Sequence, residues 1–213
     1  MEREKIIGSK IILRALVVLF TITCNVNCYA EKEKPAVKSA EEYIADLKSE
    51  DIRTVDRALE YLNETEGPII EETIVSALIT ALNDPSVAVR GRSALVLGNK
   101  KDKRAVPGLC ELLKDPNDWV RSMAAYSLRE IADESSEGAL WDALEDKEKW
   151  VRIYAIGALS KIGTKEKLIP KFREMLSDRN KDVQIEAAKL LIQWGELKVV
   201  PPSLHRKIEN KKK

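Results

Sequence analysis

Four aspartates, Asp84, Asp115, Asp146 and Asp178, stand 31, 31 and 32 residues apart, and the residues after each of them repeat as well. Six positions on come Arg90, Arg121, Arg152 and Gln184, each preceded by a valine: Val89, Val120, Val151 and Val183. Small residues recur at Ser93, Ala124, Ala155 and Ala187, then leucines at Leu97, Leu128, Leu159 and Leu191. After a short polar stretch a second apolar series appears, for example Leu109 with Leu113 and Leu140 with Leu144. Aligned columns over four units exclude chance. A period of this length means that each unit is one supersecondary element, too small to bury its own apolar face, so the units must stack in a line.

Each unit reads as two helices. Val120, Ala124 and Leu128 recur at i, i+4 and i+8, which predicts an amphipathic helix over 119–132. A second, with the same spacing, is predicted over 105–114. Between the helices lie turns such as Gly98-Asn99-Lys100-Lys101-Asp102 and Gly163-Thr164-Lys165, where glycine is expected to end a helix in the left-handed region. Asp84-Pro85 and Asp115-Pro116 mark the next start: aspartate accepts from free helix N–H groups, and proline suits the first turn. A degenerate unit is expected over 51–83, a lone helix over 39–48 before it, and a last helix over 199–210. The fold expected is all-α, a right-handed α-α superhelix of about five helix pairs covering residues 38–210.

Composition fits that reading. With 9 Gly and 8 Pro in 213 residues, a fold of many short strands joined by turns is disfavoured, while 33% charged residues suit helices with polar outer faces. The formal charge is +1, which provides no whole-chain basic field for a phosphate backbone, so nucleic acid is not an expected partner. A single histidine, His205, and three cysteines leave little stock for a metal site or a histidine-based triad.

Residues 1–30 read differently from the rest. A charged start precedes an apolar stretch from Ile11 to Thr23, followed by a short polar segment ending in Ala30. This pattern predicts a secretory signal peptide cleaved after Ala30, then a linker over 31–37. The stretch contains Arg14 and falls short of the roughly 20 apolar residues that a membrane span needs. An uncleaved anchor and a lipid anchor on Cys24 or Cys28 are the alternatives. After cleavage, Cys110 is the remaining thiol of the expected chain and no intramolecular disulfide is possible. The expected location is the periplasm or the exterior. Lys211-Lys212-Lys213 forms a short basic tail.

The residues of the repeat carry a family resemblance. The pattern D-x-x-x-x-V-R-x-x-A-A-x-x-L, a glycine turn, then A-V-P-x-L-x-x-L-L-x-D resembles the HEAT-like repeat, in the variant found in phycobilisome lyases; 84–115 matches it best. The resemblance covers about 38–210 and implies an α-solenoid, a fold that hosts many activities. The first unit lacks the Val-Arg pair and the last has Gln184 in place of Arg, departures that suit terminal units with one face in solvent. In the repeats it resembles, the Asp and Arg bond within and between neighbouring units. Asp84, Arg90, Asp115, Arg121, Asp146 and Arg152 are therefore expected as a structural ladder rather than as an anion-binding row.

Candidate binding residues come from the columns of the second helix, expected to line the concave side. Trp141, in a mixed column with Ile79, Cys110 and Arg173, is a candidate anchor for a partner. Glu111, Asp142 and Glu174, with Thr80, make an acidic strip suited to a basic peptide; no aromatic sugar platform beyond Trp141 supports paired-carboxylate catalysis there. Trp119 and Trp150 share a column at the helix start, which argues for packing between units. Cys110 has no histidine in any repeat to activate it. Iron-dependent hydroxylases that resemble these repeats rely on several His-Glu pairs, absent here. The function expected is an exported, non-enzymatic scaffold, without cofactor, that binds a protein or peptide; the alternative is a lyase-like or chaperone-like protein handling a tetrapyrrole.

Overall fold

The computed structural model of the protein describes residues 39–64 and 68–210; the expected signal peptide, linker and basic tail lie outside the described residues. Eleven α-helices make up the described chain. They are α1 (Ala40–Asp46), α2 (Ile52–Glu64), α3 (Pro68–Ala81), α4 (Val87–Lys100), α5 (Val106–Leu112) and α6 (Asp118–Ile131). The remaining helices are α7 (Glu137–Ala143), α8 (Lys149–Ile162), α9 (Lys165–Met175), α10 (Lys181–Gln193) and α11 (Pro202–Asn210). Single 3₁₀ turns precede α5, α7 and α11. This is a lone helix followed by five helix pairs.

The repeating columns are the core. Val89, Val120, Val151 and Val183 are fully buried, as are Ser93, Ala124, Ala155 and Ala187 beneath them. Leu97, Leu128, Leu159 and Leu191 complete a buried stripe on each long helix. Removing such a leucine side chain costs about 2–5 kcal/mol. One continuous apolar cluster runs from Tyr43 to Ile208. Near its ends stacked rings close it: Tyr43 lies 4.1 Å from Tyr61, and Trp194 lies 5.5 Å from Phe172.

The long helices form one layer in which α4 packs on α6, α6 on α8 and α8 on α10. Small residues let the backbones approach: Ser127 Oγ on α6 donates to the Ala94 carbonyl on α4 at 2.7 Å. A methyl group placed on Gly98 would meet the Ser127 Cα at 2.6 Å. The second helices form the other layer, each lying chiefly against the long helix that follows it, α5 on α6, α7 on α8 and α9 on α10. Direct packing between neighbours is concentrated in the long-helix layer. In a stacked two-layer solenoid the more closely spaced layer is the inner one, so the inner surface belongs to the long helices. This corrects the expectation that the second helices line the concave side.

Two local expectations are corrected as well. Gly98 does not end α4; it is buried inside the helix, and Lys101, at φ 54°, takes the left-handed position after it. Ala132, at φ 52°, does the same after α6, while Gly163 is extended. Close approach of helices, not turn conformation, explains Gly98. Nor do the repeated aspartates cap the helices. Each carboxylate accepts the N–H two residues on, that of Ser86, Asn117, Glu148 or Asn180. Those residues stand at the caps, and the side chains of Asn117, Glu148 and Asn180 take the first helical N–H groups.

Candidate functional site

The aspartate turns serve a second purpose. Arg90 donates from Nε and Nη2 to both oxygens of Asp115, Arg121 does so to Asp146, and Arg152 to Asp178. The third guanidinium nitrogen, Nη1, binds the carbonyl of Asp84, Asp115 or Asp146 in the arginine's own unit. These bidentate forks hold Arg90 and Arg121 in the charged form against the opposing effect of burial. All three guanidinium nitrogens of each arginine are thus engaged within the ladder. Asp84, at the start of the series, pairs with Lys48 at 3.0 Å. At the other end Gln184 bonds the Asp178 carbonyl and the ladder stops.

The second-helix candidates lie on the outer layer. Trp141 is half-buried on α7 against the core; its Nε1 donates to Glu137 Oε1 at 3.2 Å, and Lys167 Nζ sits 5.7 Å from the ring centre. Its polar edge and one face are thus occupied within the chain. Glu111, Asp142 and Glu174 are exposed, with Glu174 accepting from Lys171, which also binds Glu145. Cys110 is half-buried, and burial, with Glu111 beside it, pushes its thiol up, away from a reactive thiolate. Among the described residues no cluster of His, Cys, Asp and Glu could hold a metal, and no helix is long and apolar enough to cross a membrane.

The inner layer holds what the columns did not reveal. Trp119 and Trp150 are 39% and 45% exposed, so packing between units accounts for only part of each ring. Trp119 lies over Gly91 of the preceding unit, where any side chain would collide with its six-membered ring. Trp150 stacks on Tyr154 at 5.9 Å, and Tyr154 meets Tyr126 edge to face. Between α6 and α8 Trp119, Trp150 and Tyr154 line an open cleft of about 370 Å³ together with Asp118, Ser122, Met123 and Glu148.

Charges are already sorted around the rings. The Arg129 guanidinium sits 4.9 Å from the Tyr126 ring and 5.0 Å from that of Tyr154. Lys149 Nζ lies 4.9 Å from the Trp150 ring while pairing with Asp182 at 2.9 Å. Asp118 and Glu148 each accept a backbone N–H at the start of their helix, from Trp119 and Trp150. Exposed tryptophans in an open cleft that Asp118 and Glu148 also line are the makings of a binding surface. The one sequence signal for it was Gly91, a glycine inside a helix one turn after Val87, opposite an incoming tryptophan.

The comparisons with known proteins agree with this architecture. A family model described as HEAT repeats matches residues 75–147 and again 115–192, together more than half of the chain. No curated protein matches the chain. Among solved structures, the complex of CpcE and CpcF of phycocyanin lyase from Nostoc sp. is similar at 27% identity, covering 79% of this chain and 69% of that one, with a TM-score of 0.59. A designed armadillo repeat protein in complex with the peptide (KR)4 is similar at 19% identity, over 81% and 87% of the two chains, with a TM-score of 0.52.

Proposed function

Since the chain belongs to the HEAT-repeat family, we propose that it is an exported, non-enzymatic scaffold that binds a protein or peptide partner on the inner surface of its long-helix layer. The observation that carries this reading is the open cleft between α6 and α8, where Trp119 and Trp150 keep 39% and 45% of their surface in solvent. Large aromatic surface left in water is a cost unless a partner covers it, and tryptophan supplies much of the energy at interfaces. The peptide held by the designed armadillo neighbour supports a peptide partner for a solenoid of this kind. Export rests on the pattern of residues 1–30.

The test is partner capture from the exported fraction with three proteins: wild type, a Trp119→Ala, Trp150→Ala variant, and a Trp141→Ala, Glu111→Lys, Asp142→Lys variant. Loss of the same partners from the first variant and their retention by the second supports the inner surface. Identical partner sets from all three sink it. N-terminal sequencing of the mature protein tests export, and a start other than Glu31 overturns the cleavage site.

A second reading draws on the similarity to the phycocyanin lyase complex: an auxiliary protein that handles a tetrapyrrole. The aromatic cleft suits a flat conjugated ligand as well as a side chain. A bilin or haem titration that leaves the visible spectrum unchanged removes this reading.

A further inference from the structure

Building on the scaffold reading, we propose that the α6–α8 cleft selects a lysine or arginine side chain of its partner, laid on the face of Trp119 with its charge between Asp118 and Glu148. Three aromatic rings of the inner layer already carry a cation from the chain itself, Tyr126 and Tyr154 sharing Arg129 and Trp150 holding Lys149. Trp119 is flanked by no such group among the described residues, although it is 39% exposed and backed by Gly91. The two carboxylates that line the same cleft hydrogen-bond to no cation among the described residues, although the Asp118 charge helps to hold Arg121 protonated. Asp118 and Glu148 form no salt bridge among the described residues and accept backbone N–H groups of Trp119 and Trp150. Arg121, the cation closest in sequence to Asp118, is committed to Asp146 through both fork nitrogens.

A cationic side chain resolves each of these features together. Its aliphatic stem covers the rings of Trp119, Trp150 and Tyr154, as long basic side chains do on apolar surfaces. Its charge gains a ring face and two carboxylates at once, in a site partly screened from water. An acidic or neutral side chain gains the stem contacts at most. The volume of about 370 Å³ admits such a side chain with the adjoining backbone of an extended peptide.

The experiment uses fluorescently labelled nonapeptide mixtures, degenerate except for a central lysine, arginine, norleucine or glutamate. Norleucine keeps the stem and removes the charge. Lysine and arginine mixtures are expected to bind about tenfold more tightly than norleucine, in line with a partly desolvated cation on a tryptophan face and two carboxylates. In the Asp118→Asn, Glu148→Gln variant, which retains an oxygen acceptor at each position, the preference falls to about twofold at unchanged melting temperature. Trp119→Ala weakens every mixture. Equal binding of lysine and norleucine, both lost in Trp119→Ala, overturns the cation preference and leaves the scaffold reading standing. Binding by no mixture overturns the inference, and if no Trp119-dependent partner is captured either, the scaffold reading falls with it.

Discussion

Arg121 spans two repeats: its Nε and Nη2 donate to the two carboxylate oxygens of Asp146 at 2.7 and 3.0 Å, while its Nη1 binds the Asp115 carbonyl at 2.9 Å. One side chain thereby ties the turn of its own unit to the turn of the next. Arg90 and Arg152 do the same on either side, so the ladder fixes how far each unit advances on its neighbour.

Arg121→Ala is expected to lower stability by about 3 kcal/mol, because it strands a largely buried carboxylate and an open turn. Arg121→Lys keeps the charge but not the fork and costs about 2 kcal/mol. Arg104→Ala, which removes exposed pairs to Asp102 and Glu72, serves as the control and costs less than about 1 kcal/mol. Urea denaturation of the three variants measures the order; an Arg121→Ala effect no larger than that of Arg104→Ala contradicts it.

Glycines at two helical positions should answer oppositely to the same change. Gly98→Ala places a methyl group 2.6 Å from the Ser127 backbone, so α4 and α6 must part, at about 1–3 kcal/mol. Gly138→Ala on α7 meets nothing within 4 Å and should stabilise the protein by about 0.5–1 kcal/mol through the backbone alone. Thermal melts of the two variants give the signs directly.

Of the four tryptophans, Trp119 and Trp150 are exposed, whereas Trp141 and Trp194 are packed against the core. Acrylamide should therefore quench the wild-type protein chiefly through the first pair. In a Trp119→Phe, Trp150→Phe variant the Stern–Volmer slope is expected to fall by about half or more, since the remaining indoles are shielded by packing. An unchanged slope would mean that the cleft is closed in solution.

Asp133 tests the local turn electrostatics. The Ser135 hydroxyl and N–H, then Lys103, hold its carboxyl down at about 2, below the ordinary value of 3.8. A depressed value contributes stability that is complete above 3.8 and is lost as the pH falls through about 2. Carboxyl carbon shifts followed by NMR should report this midpoint directly. In Ser135→Ala the midpoint is expected to rise toward 3.8, and the acid limb of the stability curve to begin at higher pH.

The ladder and the buried stripe were legible in the chain because repetition writes each inter-unit contact several times. Asp115 to Arg121 and Asp146 to Arg152 are the same solution to the same packing problem, so their spacing alone reveals it. Helix existence, order and pairing come from the apolar period of Val120, Ala124 and Leu128. What a period of one helix cannot convey is which layer lies closer to its copies in the next unit. That depends on backbone approach at Gly98, Ser127 and Ala94, contacts between residues about thirty positions apart. The inner surface thus passed from the helix of Trp141 to that of Trp119 and Trp150. The same tryptophan column reads as packing in one dimension, yet in three it both packs and lines a cleft, because Trp119 lies over Gly91 of the unit before it and still keeps 39% of its surface exposed. Local periodicity determines the elements; the distances between stacked backbones decide which of their faces meets a partner.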